Sequence, residues 1–202
     1  MTGITHTTAL WYASRATGVV ALLLLTAVLL LGILVNRQGR LPGLPSFAVT
    51  GLHRNVSLLA VAFLAIHVIT AIVDPYVTIG LAATVLPFVS SYKPFWLGIG
   101  AISLDLIAAL ILTSVARARM GRRAWRGIHW LAYAAWPLAV LHSLGSSSDA
   151  RGGLVLGVLT GCVLAVAFAL AWRVSRAARE IPRAARAAAT LSRMPARKAQ
   201  SR

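Results

Sequence analysis

Four of the five histidines in this 202-residue chain form two pairs, His53 with His67 and His129 with His142, each inside a stretch apolar enough to cross a membrane. An imidazole in hydrocarbon is costly and by default marks a functional site. Its neutral ring nitrogen is also a standard axial ligand to haem iron. A single such residue is equally well explained by a hydrogen bond across a helix interface. Four at these spacings point instead to coordination chemistry. His6 falls in the short segment before the first apolar run and is not expected to be a ligand.

The other reactive side chains narrow the chemistry. Cys162 is the only cysteine, so no intrachain disulfide, no Cys-x-x-Cys-His attachment site and no iron-sulfur framework can form, and a haem would be held by coordination alone. The four acids, Asp74, Asp105, Asp149 and Glu180, give hydrolytic chemistry little to work with. Gly98 and Gly100 lie inside an apolar run and lack the strand-turn-helix setting of a nucleotide fingerprint.

The elements that carry the histidines follow from composition. With 58% hydrophobic residues and a mean hydropathy of +0.79, the chain has too little polar surface to coat a soluble globule. Apolar runs at 16–35, 52–73, 95–115, 128–144 and 154–172 read as spans near the length a bilayer requires. The first run is longer than a signal-peptide core, and no small-residue cleavage site follows it. The expected fold is an all-α, polytopic membrane helix bundle of about five transmembrane helices, with six still compatible.

Charge orients that bundle. Of the 20 Lys and Arg residues, seventeen lie in or beside the first loop (Arg37, Arg40, Arg54), the loop from Arg117 to Arg126, and the segment from Arg173 onward. Only Arg15, Lys93 and Arg151 lie on the other side. The positive-inside rule then puts the N-terminus outside and the C-terminus inside, in the plasma (inner) membrane. The bundle is expected to occupy 1–173, and 174–202 to form a basic cytoplasmic tail, partly helical or disordered, with Pro182 interrupting any helix. A net charge of +16 gathered at helix ends and in this tail suits anionic membrane lipid and argues against nucleic acid.

In that orientation the second and fourth spans run parallel, so each depth receives one histidine from each helix: His53 with His129 inside, His67 with His142 outside. Fourteen residues separate His53 from His67, about 21 Å along a helix and only about 40° around it. Thirteen separate His129 from His142, which on an ideal helix leaves them about 140° apart. Pro137, between them, is the expected site of the distortion that realigns them.

Propionate groups would need cations near the interfaces. Arg54, Arg122, Arg123 and Arg126 are placed to serve an inner haem, and Arg15, on the side that basic residues avoid, an outer one. Trp130 and Trp136 are candidates to pack on a porphyrin. Asp105, the one acid deep within a span, calls for either a charge-compensating role or a hydrogen bond to a neighbouring helix. Asp74 and Asp149 are expected in solvated outer loops.

The segments LHRNVSLLAVAFLAIHV and RRAWRGIHWLAYAAWPLAVLHSLG, with ALWYASRATGVVALLLLT and PFVSSYKPFWLGIGAISLDL, resemble the ferric reductase-like transmembrane domain family, in particular its short, stand-alone actinobacterial members. Its relatives include ferric reductases, NADPH oxidases and the haem subunit of a methionine sulfoxide repair system. The resemblance implies two b-type haems ligated by His53, His67, His129 and His142, and transmembrane electron transfer. The donor would be a cytoplasmic flavin reductase or quinol, and the acceptor ferric iron, oxygen or an extracytoplasmic flavoprotein. The family commonly has six spans and adds a flavin and nicotinamide domain, whereas this sequence carries five and no recognisable site of either kind. Two other classes fit the residues: a quinol-linked cytochrome b subunit, and a non-redox scaffold or transporter with structural histidines.

Overall fold

A computed structural model describes residues 2–35, 46–75, 77, 79–146 and 153–193. Among them there is no strand: seven helices run α1 (Thr2–Val35), α2 (Ser46–Val73), α3 (Leu81–Val85), α4 (Pro94–Val115), α5 (Arg122–His129), α6 (Ala132–Ser146) and α7 (Gly153–Arg193), with a 3-10 turn at Ala116–Arg119. In hydrocarbon every backbone amide must be paired within its own segment, and these long apolar runs satisfy that by forming helices. Four of them, in α1, α2, α4 and α7, are long and apolar enough to span a bilayer. The protein is a multi-pass membrane protein with an all-helical fold.

The expected span at 128–144 is realised differently. The chain breaks at Trp130 and Leu131, so His129 ends α5 and the rest becomes the 15-residue α6, shorter than the other spans and packed among them. At the other extreme, α7 runs for 41 residues, straight past Pro182 to Arg193, so the expected interruption there does not occur. Arg37, Arg40, Arg151 and Asp149 lie outside the described residues, as do 194–202.

Helix α1 is central. It packs along α2 on one side and against α6 and α7 on the other, while α4 lies on α6. Leu22 of α1 meets Leu159 of α7, and about two turns further along Leu29 and Ile33 meet Val166, with Tyr133 and Trp136 of α6 closing over them. Between apolar helices, polar contacts fix rotation and register. Trp136 Nε1 donates to Thr26 Oγ1 at 2.9 Å, Ser103 Oγ to the Ala135 carbonyl at 2.9 Å, and Arg173 to the Tyr133 hydroxyl at 2.8 Å. Each ties α6 to a different helix, which fixes the short span that carries His142. Trp136, a candidate for porphyrin packing, is thereby committed to the interface between helices.

The connection between α2 and α4 folds back over the bundle. Phe88 adopts φ 67°, rare for an aromatic residue, and its ring occupies the space that a side chain at Gly98 would need. Lys93, also at positive φ, precedes Pro94 at the start of α4, and its ammonium donates to the carbonyls of Gly145 and Ser146 at 3.3 and 3.0 Å. It caps the C-terminal end of α6 with charge of the favourable sign. Asp74, expected in solvent, is instead 6% exposed at the end of α2.

Candidate functional site

The four membrane histidines meet across helices, not along them. The imidazoles of His53 and His129 have centroids 6.5 Å apart, and those of His67 and His142 are 6.4 Å apart. Each pair takes one ring from α2 and one from the α5–α6 segment, so these two run parallel and the pairs sit at opposite ends of the bundle.

His53 and His67 share a face of α2 because fourteen residues bring a helix nearly back into register. The α5–α6 segment needs overwinding, and the break supplies it. Leu131 N–H bonds the Ile128 carbonyl at 2.9 Å, Tyr133 that of Trp130 at 3.0 Å, and Ala134 that of Leu131 at 3.0 Å, each an i to i+3 bond. Such winding advances about 120° per residue against about 100° in an α-helix. A turn of four residues therefore removes about 80° of the 140° mismatch and leaves about 60° for the change of axis and the rotamers. Pro137 sits within α6 without ending it. The realignment expected there takes place six residues earlier, where the hydrogen-bond pattern itself changes.

The separations suit a metal held between two rings. Metal to imidazole nitrogen is about 2 Å. Ring nitrogen to ring centroid is about 1.1 Å for bonds of ordinary length. Two of each place the centroids about 6.2 Å apart, close to both observed values. Two ligands alone leave a bare ion under-coordinated, and no cluster of three or more His, Cys, Asp or Glu occurs among the described residues. A macrocycle that brings four nitrogens of its own meets that requirement. Between His67 and His142 there is an apolar cavity of about 110 Å³, bordered by Leu25, Leu64, Leu104 and Ile107 and flanked by Ile79 and Thr84 of the folded-back connection.

Hydrogen bonds prepare one pair as ligands. His67 Nδ1 lies 2.7 Å from the Ser14 carbonyl and His142 Nδ1 2.9 Å from the Trp96 carbonyl. A carbonyl accepts only, so Nδ1 of each ring carries the proton and Nε2 presents its lone pair, the arrangement that metal-bound histidines use. Two glycines make the approach possible. A Cβ on Gly18 would lie 2.9 Å from His67 Cε1 and Nδ1, and one on Gly100 would overlap the His142 ring. The other pair is less constrained: Nδ1 of both His53 and His129 is buried without a hydrogen bond. The Val28 backbone is near His53, but not in a geometry that makes a well-formed bond.

An aromatic neighbour absent from the sequence reading completes that end. Trp125 stacks on His129 with centroids 4.9 Å apart and planes 24° apart, and the Arg117 guanidinium lies 4.4 Å over the Trp125 ring. The spacing of four residues within α5 was the available signal. Beside them Arg117, Arg122, Met120 and Trp125 line an open hollow.

The other candidate residues are distributed as follows. Arg15 follows Ser14, whose carbonyl bonds His67, and lies 4.2 Å over the Trp11 ring. Arg54, adjacent to His53, and Arg126, one turn before His129, are both exposed at the same end of the bundle as those histidines. Arg123 is exposed as well. Trp130 is 52% exposed, packed on Tyr133 and facing Arg173. Asp105 is exposed on α4 and makes no hydrogen bond or ion pair among the described residues, so the expected bond to a neighbouring helix is not formed.

The model of the ferric reductase like transmembrane component family matches residues 17–140. That segment contains His53, His67 and His129, and His142 follows it by two residues. No curated protein and no solved structure matches the chain.

Proposed function

This chain belongs to the ferric reductase-like transmembrane family, a family of membrane electron-transfer components, and from that membership we propose that it is a di-haem b-type cytochrome carrying electrons across the plasma membrane. His53 and His129 would hold one haem and His67 and His142 the other. The observation that carries the reading is the pair of imidazole separations, 6.5 and 6.4 Å, each close to the span of two imidazoles that would share one metal. A haem held by both imidazoles of a pair would supply single-electron transfer.

The residues of this chain do the rest. Ser14 and Trp96 carbonyls orient His67 and His142 so that Nε2 faces inward. Leu25, Leu64, Leu104 and Ile107 would give that site an apolar wall. With the arginine-rich side inside, Arg54 and Arg126 would neutralise propionates of the inner group and Arg15 those of the outer one. The hollow lined by Arg117, Arg122 and Trp125, the last stacked on His129, would offer an anionic donor, a flavoprotein or a quinol, a cationic and aromatic surface. A ferric chelate, oxygen or an extracytoplasmic flavoprotein would accept at the outer face. The tail from residue 174 would rest on anionic lipid.

The test is a reduced-minus-oxidised absorption spectrum and haem assay of the purified protein. The expected result is two b-type haems per chain, reduced slowly by NADH or NADPH alone and rapidly once a flavin reductase or a reduced quinone is added. A protein purified from haem-replete cells without haem, or one that oxidises a nicotinamide directly at enzymatic rates, refutes the reading.

A further inference from the structure

Asp105 lies eleven residues from Pro94 and ten from Val115, the ends of α4. That is about 16 Å from each end along the helix, the middle of a hydrocarbon layer about 30 Å thick. It is exposed there. The cavity between His67 and His142 is bordered on α4 by Leu97, Gly100, Ala101, Ser103, Leu104 and Ile107, and Asp105 lies beyond the edge of that lining, about 40° round the helix from Ala101. The folded-back connection that covers Gly98 through Phe88 protects the same side of α4 only two turns nearer its start. Ala108 and Leu112, one and two turns on, are exposed along the same stripe, Leu112 at 68%.

A carboxyl group on a lipid-facing stripe at mid-depth is unfavourable, and intramembrane acids elsewhere face a partner or a cavity. No described residue of this chain supplies the partner. Its Lys and Arg residues lie at helix ends, in connections or in the tail, and none falls inside the middle two turns of a span. A second copy related by a two-fold axis along the membrane normal would bring Asp105 against Asp105, two carboxyl groups that could not both ionise there. The complementary occupant is an apolar helix with a cation at mid-depth. Ala108, one turn from the carboxylate, leaves room for another helix to approach closely, as small residues do at transmembrane interfaces.

We propose that the Asp105 face of α4 is the docking surface for a transmembrane helix of a partner protein that carries a Lys, Arg or His at the same depth. The inference rests on the membrane placement of α4 and stands apart from haem ligation.

The full-length protein, labelled with a fluorophore and reconstituted in phosphatidylcholine vesicles, is mixed with either of two synthetic helices of equal length. One is polyleucine throughout, and the other carries a single central lysine. Energy transfer should report association of the lysine helix on the order of tenfold tighter than of the all-leucine helix, the effect of one interhelical polar contact. The preference should vanish in D105L and survive a shift of the protein between membrane-mimetic lipids of equal thickness. Equal association of the two helices with the wild-type protein, which requires no variant to fold, overturns the proposal. So does an undiminished preference in D105L, or energy transfer between copies of the protein that D105L abolishes.

Discussion

Gly18→Ala is a small change with a large expected effect. In an apolar helix the substitution by itself favours folding, by about 1 kcal/mol of helix propensity. Against this, the new Cβ would sit 2.9 Å from His67 Cε1 and Nδ1, where carbon contacts are comfortable only at about 3.5–4.0 Å. Either the ring or the α1–α2 spacing must give by roughly 0.6–1 Å. The His67 bond to the Ser14 carbonyl, now 2.7 Å, would then pass about 3.3 Å or more, beyond the range of a good N–H···O bond. Losing a buried hydrogen bond costs about 1–3 kcal/mol. Overpacking adds about 1–3 kcal/mol. The net loss is about 1–5 kcal/mol, and since 1.4 kcal/mol is a factor of ten, haem retention at the His67–His142 site should fall at least several-fold. Gly32→Ala on the same helix is the control. Its Cβ would lie 3.6 Å from His53 Cε1, an ordinary contact, so the propensity gain should stand and both haems should remain. A haem assay with redox titration of the two variants decides the matter: G18A should hold about one haem and G32A two. A G18A protein with two haems at unchanged potentials, or a G32A protein losing haem first, refutes the argument.

Replacing His53 or His129 by Ala should remove chiefly the haem at their end, and replacing His67 or His142 chiefly the other, because the partners meet across helices at 6.5 and 6.4 Å; stoichiometry and titration of the four variants check this, and wild-type content in all four contradicts it. Trp125→Leu removes the stack on His129 and the seat of Arg117, each worth about 0.5–1.5 kcal/mol; the expected outcome is a several-fold faster loss of the haem at the His53–His129 end to apomyoglobin, with the other unaffected. Cysteine labelling in a Cys162-free background should find the 74–94 connection reactive from outside and Arg117–Arg126 from inside; both termini on one side would overturn the proposed depths.

Some of this was dictated by sequence alone. Apolar runs of bilayer length must become helices, since nothing in hydrocarbon pairs an open backbone. The identity of the four histidines, their depths and the shared face of His53 and His67 are consequences of spacing, and spacing is written in the chain. The family resemblance was legible for the same reason. The pairing of His53 with His129 and of His67 with His142 followed from the directions of the spans. Only the tertiary structure decided that His129 and His142 are realigned by the i to i+3 bonds around Trp130 and Leu131 rather than by Pro137. Proline announces a missing donor, but where a helix yields depends on what its neighbours hold, and here Thr26, Ser103 and Arg173 grip the stretch from Tyr133 to Trp136. The same bond to Thr26 withdrew Trp136 from the site, while Trp125 entered it through a stack that no hydropathy pattern encodes. Asp105 reads the same in sequence whether it faces a helix or the lipid. Periodicity fixes angles about one helix axis, and only the packing of the other helices says which of those angles is left uncovered.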